Sequence, residues 1–382
     1  MIQPPTRPLR VGISGTGYIA RGLIQLLQPM GDRFEVVIVL TRRAVADVAP
    51  VPGEVAVTDN LDQFIGACDM VVECSGAVDG ARAVIEAAIA AEKQIVTLNA
   101  EFQMALGAAF RDYPHITEAQ GDQPGSIAAL DEEVRQMGFE PVVYGSQKGF
   151  LAPTPSKEDM VYWSERQGIS LPAVTSFTDG TKVQIEQALV AECLGGTIAQ
   201  NGLMGPKTGT LAEGGLELAA RAAELGDVIS DYALVAGGRG ELFIVARHAS
   251  PPEQLQYYKL GGGEFYIIER PFHLGHFEIP ITMIRMAEGR GPLMKHSRKP
   301  QLSVGTIAKR ALPKGTKVHQ AAGSFDFRGE AMTLASASDV VPIGLMEHCV
   351  LREALEPGQA VTWADVDLSK EASVALWKST NL

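Results

Sequence analysis

The chain has 382 residues, of which 46% are hydrophobic and 20% are charged. This length exceeds what one hydrophobic core supports, so we expect two or three domains and an ordered globular protein. The formal net charge of -12 argues against nucleic-acid binding, which needs clustered Lys and Arg. The four cysteines form no CxxC pair, and no run of about 18 apolar residues occurs. With a polar, Pro-rich start, these features predict a cytoplasmic protein with no membrane partner.

Residues 9–99 alternate between short apolar runs and helical stretches rich in Ala, Leu and Ile. Strand, helix, strand in this rhythm predicts a parallel sheet with right-handed crossovers. The predicted fold is α/β, with a doubly wound, Rossmann-type NAD(P)-binding domain over residues 1–125. Its predicted strands are Leu9–Ser14, Phe34–Leu40, Asp69–Cys74 and Gln94–Leu98, and its predicted helices are Ile19–Leu27 and Gly80–Ala91.

Residues 126–297 mix the two kinds of pattern, which predicts an α+β domain for substrate binding and dimerisation. Helices are expected at Ile127–Met137, Lys182–Cys193 and Leu216–Ala223, strands at Phe139–Tyr144, Leu242–Arg247 and Glu264–Ile268, and an irregular stretch at Gly149–Leu171. The pattern Ala-Leu-x-x-Gly occurs at 311–315 and again at 354–358, each time with a proline in the turn. These turns predict a small β-rich domain over residues 298–382.

The segment Gly15-Thr16-Gly17-Tyr18-Ile19-Ala20 lies between a predicted strand and a predicted helix, and Gly12 precedes it. In dinucleotide-binding folds the first glycine permits a tight turn, the second admits the pyrophosphate, and the small third residue allows helix-strand packing. The helix N-terminus adds amide donors for the phosphates. We therefore expect these residues to bind the cofactor, the alternative being an ordinary tight turn.

The end of the second predicted strand distinguishes NAD from NADP. Domains that prefer NAD place an acid there to hold the ribose 2′-hydroxyl, whereas this chain has Thr41-Arg42-Arg43. A threonine hydroxyl and guanidinium groups match a 2′-phosphate, which favours NADP(H). The alternative is a solvated pair of surface charges.

Two further strand ends carry small polar residues. Ligands of open parallel sheets bind beyond the carboxyl ends of the strands, so Ser75, Gly76 and Asn99 are expected near the nicotinamide and its ribose. For Ser75-Gly76, an ordinary strand-to-helix turn is the alternative.

Several of these motifs together resemble the homoserine dehydrogenase superfamily. The resemblance begins with Gly12-x-x-Gly-x-Gly, Glu73-x-Ser-Gly76 and Val96-Thr-x-Asn99. Further motifs resemble the homoserine-dehydrogenase-like branch that carries a C-terminal SAF domain, here residues 298–382. These are Gly121-Asp122-Gln123-Pro124, Ser176-Phe-x-Asp-Gly-Thr-Lys182 and Pro271-Phe-His273-x-x-His276-Phe-Glu278.

The resemblance implies an oxidoreductase that forms a homodimer or homotetramer and acts on a small-molecule substrate. It places Asp179, Lys182 and Glu186 in the substrate site, with Asp122, Gln123, Lys148, His273 and His276 as substrate contacts. The spacing agrees, since Asp179 is placed to cap a helix on which Lys182 and Glu186 lie one turn apart. A lysine beside a carbonyl can polarise or protonate it. The alternative is a surface ion pair on an amphipathic helix.

Two departures from the family pattern bear on the substrate. The branch has a lysine soon after the strand that matches 141–144, whereas Lys148 is displaced here, which weakens the expectation of a phosphorylated substrate. Ala100-Glu101 replaces the lysine that follows the family's asparagine, which argues against homoserine.

The identity of any metal ion is left open. The HxxHxE spacing of His273, His276 and Glu278 matches no familiar zinc geometry. Asp122, Asp179 and Glu186 are a second candidate set, for a hard cation such as Mg²⁺.

The sequence thus predicts an NADP-dependent oxidoreductase for a small polar carbonyl or hydroxy compound, either sugar-derived or phosphorylated. A deoxyxylulose-phosphate reductoisomerase-like enzyme is one alternative. A non-catalytic NADP-binding sensor or regulator is another.

Overall fold

The computed structural model describes residues 7–368 and 371–381. They form two compact units, one of residues 7–126 with 273–295, the other of residues 127–272 with 296–368 and 371–381. The stretch 273–295, predicted for the middle domain, is thus part of the first unit. Residues predicted for the middle and C-terminal domains otherwise share the second unit. Among the described residues, no helix is long and apolar enough to cross a membrane.

The first unit is built on a parallel sheet whose strands lie in the order β3-β2-β1-β4-β5-β6. This is the strand order of a doubly wound dinucleotide-binding fold, and it confirms the predicted fold class. The strands are β1 (Leu9–Ser14), β2 (Phe34–Leu40), β3 (Ala56–Thr58), β4 (Met70–Glu73), β5 (Gln94–Thr97) and β6 (Ile116–Glu118). The helices of this unit are α1 (Tyr18–Leu27), α2 (Leu61–Ala67), α3 (Val78–Ala90), α4 (Ala100–Leu106) and α11 (Ile279–Ala287).

The register of the sheet places the ends of three strands, β1, β2 and β4, at one edge. Ser14, the last residue of β1, pairs with Leu40 of β2 on one side and with Glu73 of β4 on the other. The residues that follow these three strands therefore begin at the same edge, where the strand order reverses. Doubly wound folds bind their ligands at this point.

The second unit contains a mixed sheet in the order β11-β10-β7-β9-β8, in which β7 is parallel to β9 and antiparallel to β10. Its strands are β7 (Phe139–Lys148), β8 (Lys207–Thr208), β9 (Ile229–Val235), β10 (Leu242–His248) and β11 (Tyr266–Arg270). The helices are α5 (Gln123–Gln136), which begins before the boundary between the units, α6 (Lys157–Gln167), α7 (Leu171–Thr178), α8 (Thr181–Leu194), α9 (Leu211–Leu225) and α10 (Pro252–Tyr257).

Several helices of this unit differ from the prediction: α6, α7 and α10 were not predicted, and α5 and α9 begin earlier than expected. Helix α6 lies inside the stretch predicted to be irregular, and its start is capped by the Ser156 side chain, which accepts from the backbone N–H of Asp159. Only Met160 of this helix is buried, so an apolar periodicity is missing. Helix α9 begins at Leu211, five residues before the predicted start, because Thr210 and Glu213 form a reciprocal capping box.

The C-terminal residues of the second unit form two small antiparallel sheets, β12-β14 and β13-β15-β16. The strands are β12 (Leu302–Ala308), β13 (Lys317–Val318), β14 (Phe327–Thr333), β15 (Cys349–Leu351) and β16 (Val366–Asp367), with helices α12 (Leu334–Ala337) and α13 (Glu371–Asn381). The two Ala-Leu-x-x-Gly turns pair, since Leu312 and Leu355 exchange both backbone hydrogen bonds. We call residues 302–367 the C-terminal β module.

Candidate active site

A cavity of about 660 Å³ lies at the edge of the first sheet where β1, β2 and β4 end. It is lined by seven of the predicted cofactor residues, namely Gly15, Thr16, Gly17, Thr41, Arg42, Arg43 and Ser75. Asp59, which follows β3, lines the same cavity and was not predicted. Finding Asp59 would have required recognising the three-residue strand before it.

The glycine loop has the shape that a dinucleotide requires. Gly15 has a φ of 124°, which side chains rarely adopt, and a Cβ there would lie 3.0 Å from the carbonyl oxygen of Cys74. A Cβ on Gly17 would have no heavy atom within 4 Å, so this position is open for a phosphate to approach the backbone. No side chain caps the first turn of α1, which leaves its amides available to an anion. These residues fit a pyrophosphate.

Both arginines at the end of β2 line the cavity. Arg43 donates from Nη2 to Thr16 Oγ1 at 2.9 Å, and its backbone N–H donates to Thr41 Oγ1 at 3.1 Å. The Arg42 side chain lies beside Gly80, with its Cδ 3.1 Å from where a Cβ would stand. Guanidinium groups at this position suit a phosphate ester better than a ribose hydroxyl.

A buried carboxylate lies behind this cavity. Glu73, at the end of β4, is fully buried and accepts hydrogen bonds from the backbone of Ser75 at 2.9 Å and from Asn99 Nδ2 at 3.1 Å. Burial raises the pKa of Glu73, and these donors act in the opposite direction. Glu73 thus ties together the turns that follow β4 and β5. The available signal was an acid inside an otherwise apolar strand.

Other predicted cofactor residues have different surroundings. Asn99 is fully buried and caps α4 through its side chain, which accepts from the backbone N–H of Phe102. Gly12 lies against Phe64 and Cys68, because a Cβ there would approach the Cys68 sulfur to 2.8 Å. Ala20 is buried in the core, and Tyr18 is 63% exposed. Ile19 packs beside the same core, and Gly76 has a φ of 71°, as a turn after β4 requires.

The segment that contains the two predicted histidines belongs to the first unit. His276 is buried against Gly22 of α1, where a Cβ would approach its Nε2 to 2.4 Å, and its ring has an edge contact with Tyr18. Burial lowers the pKa of His276. His273 is half-buried just before this turn. The His276 ring thus packs on α1, and its contact with a substrate stays a prediction.

The start of α5 is held by the same segment. Glu278 accepts hydrogen bonds from the backbone of Leu274 at 2.6 Å and from Ser126 Oγ at 3.2 Å. Asp122 and Gln123 lie in this turn, and Gln123 is fully buried at the first residue of α5. Glu278 is therefore engaged in fixing the turn.

In the second unit, two lysines meet on one carboxylate. Glu186 lies 3.6 Å from Lys182 Nζ, one turn earlier on α8, and 3.8 Å from Lys148 Nζ at the end of β7. The side chains of Lys182 and Glu186 are 14% and 5% exposed, so this is not a pair on a solvated helix face. The structure thus brings three of the predicted residues together.

Asp179 lies elsewhere. Its Oδ2 receives Lys309 Nζ from the C-terminal β module at 2.5 Å, and the pair is almost fully buried. Its Oδ1 accepts the backbone N–H of Thr181, while the capping position of α8 is Gly180, which has no side chain. Asp179 is thus a partner of Lys309 rather than the predicted helix cap beside Lys182. No local sequence pattern indicates a partner 130 positions away.

Buried polar side chains support α8 from the sheet. Gln187 donates to Ser146 Oγ at 3.0 Å and accepts from Ser230 Oγ at 2.5 Å. Next to Ser230, the buried Asp231 accepts from the backbone of Met204 and Gly205. Burial raises the pKa of Asp231 to about 6. These residues were missed because polar residues inside strands have no motif.

The sequence left two candidate metal sets open. Among the described residues, no group of three or more His, Cys, Asp or Glu side chains has an arrangement that could hold a metal ion. Asp179 and Glu186 do not fit a cation site, because each carboxylate already faces a lysine ammonium group.

Two protein-family models match parts of the chain. Residues 15–113 match the homoserine dehydrogenase NAD binding domain, and residues 121–279 match the catalytic domain of oxidoreductase DRL. The first match contains the glycine loop, and the second contains Lys148, Lys182 and Glu186. No curated protein matches the chain.

Solved structures similar to this chain include two homoserine dehydrogenases. The enzyme from Thiobacillus denitrificans is 12% identical, with 93% of this chain and 98% of that chain covered and a TM-score of 0.42. The enzyme from S. aureus is 11% identical, with coverages of 87% and 95% and a TM-score of 0.40. Dihydrodipicolinate reductase from Paenisporosarcina sp. TG-14 is 10% identical, with coverages of 76% and 96% and a TM-score of 0.37. Similarity this low in sequence and in structure supports no conclusion beyond those drawn from the strand order and the family matches.

The fold and the domain matches define the class of the protein as an oxidoreductase that binds a nicotinamide cofactor. More particularly, its residues 15–113 are similar to the NAD binding domain of homoserine dehydrogenase, and its residues 121–279 are similar to the catalytic domain of oxidoreductase DRL.

Proposed function

We propose that this oxidoreductase uses NADPH and transfers a hydride between it and a small polar carbonyl or hydroxy compound. The preference for NADPH is supported by Arg42 and Arg43, which line the cavity at the end of β2 where NAD-preferring domains carry an acid. The bound cofactor would supply the hydride. Backbone of the glycine loop would hold its pyrophosphate.

The observation that carries the catalytic proposal is the meeting of Lys182 and Lys148 on the buried Glu186. During reduction the carbonyl carbon accepts a hydride and its oxygen accepts a proton. The Lys182 ammonium group polarises the oxygen and donates this proton, and Glu186 orients the ammonium group by an ion pair. In the reverse direction Lys182, as the neutral amine, accepts the proton from the hydroxyl.

The charges of this cluster favour a substrate with an anionic group. Two ammonium groups, those of Lys148 and Lys182, lie together in a largely buried cluster and suit an anionic group of a substrate. Lys148, although displaced in sequence from the family position, reaches Glu186 in space. This placement supports the second candidate function, a deoxyxylulose-phosphate reductoisomerase-like enzyme with a phosphorylated ketose as substrate.

A non-catalytic NADP sensor is supported less well. A sensor needs no buried acid-base cluster, and a solvated ion pair on a helix surface would be far more exposed than Lys182 and Glu186. A divalent cation is not included in the proposal, because Asp179 and Glu186 do not fit such a site.

The test measures turnover of a panel of small phosphorylated and unphosphorylated carbonyl compounds by the Lys182→Ala variant. Turnover is monitored through the absorbance of NADPH. Turnover is expected to fall by about 10²–10⁴-fold while NADPH affinity stays unchanged. Lys182→Arg should restore little, because arginine stays protonated and has a different shape. Lys148→Ala should mainly raise KM for anionic compounds. The exposed Lys157 serves as the matched control.

Full turnover by a folded Lys182→Ala protein would refute the catalytic assignment. No turnover of any panel compound by the wild type, together with tight NADPH binding, would favour the sensor. Equal turnover of phosphorylated and unphosphorylated compounds would contradict the phosphorylated-ketose candidate.

A further inference from the structure

Helix α8 is enclosed on three sides. All of its residues from Val183 to Glu192 are buried, and its side chains divide into three faces by helical spacing. One face carries Lys182 and Glu186. A second packs on the sheet, where Gln187 donates to Ser146. The third faces the C-terminal β module and includes the polar residues Thr181, Gln184 and Glu192.

Polar contacts on this third face extend along the helix. Thr181 Oγ1 accepts the backbone N–H of Gly329 at 3.0 Å, and Gln184 Oε1 accepts that of Ala331 at 2.8 Å. These two donors lie on β14. The helix thus satisfies backbone groups of the module with its own side chains.

The far end of α8 is bound to the segment that leads into the module. Glu192 accepts from Ser297 Oγ and from the backbone of Gln301 at 2.9 Å and Leu302 at 3.3 Å. Contacts therefore occur at both ends of a helix of 14 residues, about 21 Å long.

The charged contact lies at the corner between α7 and α8. Lys309 Nζ reaches Asp179 Oδ2 and also donates to the carbonyl oxygen of Ser324 at 2.6 Å. The side chains of Lys309 and Asp179 are 3% and 0% exposed. Asp179 in turn accepts the backbone N–H of Thr181 at 2.8 Å. Lys309 therefore pairs with a residue that lies three positions before Lys182 and is bonded to the first residue of α8.

A buried ion pair is a costly way to gain stability, because both ions lose their hydration, and apolar replacements are often as stable. What the pair does impose is a fixed distance and direction between its partners. At this corner that constraint sets where α8 begins, and hence where Lys182 projects.

We propose that Lys309 is a positioning residue, through which the C-terminal β module sets the placement of Lys182 at the start of α8. This inference rests on the proposed role of Lys182 in catalysis. The module then contributes to the geometry of the active site, although none of its residues needs to contact the substrate.

The experiment compares two variants of the full chain with a matched control. Lys309→Met breaks the pair and leaves Asp179 buried alone. The double variant Lys309→Met with Asp179→Asn removes both charges and retains the volume, so it folds if the single variant does not. Arg310→Met is the control, because the neighbouring Arg310 is 61% exposed and pairs with Asp326 on the surface.

We expect the double variant to regain a near-wild-type Tm but to lose about 10²-fold in kcat on the best panel compound, as a misplaced catalytic group does. Its affinity for NADPH should stay unchanged. Hydrogen exchange of the backbone amides at 182–186 should become faster. The Arg310→Met protein should match the wild type in all of these measurements.

A double variant with wild-type Tm, kcat and amide exchange would overturn the proposal, because the pair would then be only structural. Slow amide exchange together with a reduced kcat would also overturn it, since the start of α8 would not have moved. If Lys182→Ala keeps full turnover, it is instead the proposed function that fails, and that result is independent of Lys309.

Discussion

Replacement of Arg42 and Arg43 by alanine tests which cofactor this oxidoreductase uses. Both side chains line the dinucleotide cavity, but only Arg43 has a further bond there, to Thr16 in the glycine loop. The double variant therefore removes the proposed phosphate contacts and one contact within the loop. The loop contact should affect NADPH and NADH equally, because both carry the same pyrophosphate.

The difference between the two cofactors isolates the 2′-phosphate. A hydrogen bond to a charged group contributes about 1.5–3 kcal/mol, which corresponds to roughly 10- to 150-fold in affinity for each arginine. Both arginines are exposed, so salt screens them and the lower end applies. We therefore expect the Kd for NADPH to rise by about 10²-fold and the Kd for NADH to change by less than about fivefold.

The assay is titration of each variant with NADPH and NADH at low and high salt. The two single variants show how much each arginine contributes. Arg33→Ala controls for net charge, because Arg33 is an exposed arginine that precedes β2 and is not among the lining residues. The loss for NADPH should shrink at high salt. Equal losses for both cofactors, or no loss for either, would show that these arginines are only surface charge.

Two further predictions concern stability. Because burial raises the pKa of Asp231 to about 6, above an unfolded value near 3.9, its proton stabilises the folded state at low pH, and this contribution is lost as pH rises through about 6. The unfolding free energy of wild type relative to Asp231→Asn should thus fall by about 2 kcal/mol between pH 4 and pH 7 in denaturant titrations, and a flat difference would contradict this. Gly12→Ala should lower the free energy of unfolding by about 1–3 kcal/mol, because the added methyl group would clash with Phe64 and Cys68, while NADPH affinity is retained. A stable variant with reduced NADPH affinity would instead show that Gly12 belongs to the cofactor site.

The sheet of the first unit was predictable because its strands are buried on both faces. Four of the six strands were expected within one residue of their observed ends, since a run such as Phe34–Leu40 is apolar except for Glu35. Two strands were not predicted, Ala56–Thr58 and Ile116–Glu118. Each has three residues, which is too few for a periodic hydrophobic pattern. Asp59 was missed for the same reason.

Buried charges at the sites were harder to interpret. Glu73 and Asp231 each end or interrupt an apolar strand, and composition alone assigns such acids to the surface. Several of their partners are distant in sequence, namely the backbone N–H groups of Met204 and Gly205 for Asp231 and the Asn99 side chain for Glu73. A sequence pattern describes side chains, so it does not record which loop amides a buried carboxylate will meet.

Helix α8 shows why a correct motif can still be misassigned in detail. The spacing of Asp179, Lys182 and Glu186 predicts that all three serve one site, because a capping residue and an i,i+4 pair lie close on a helix. That reasoning assumes one solvent face and one core face, whereas this helix has three buried faces. Asp179 therefore pairs with a lysine of the C-terminal β module, while Lys148 from β7 joins the other two. Local spacing predicts which residues are neighbours, and only the packing around the helix decides which neighbours share a site.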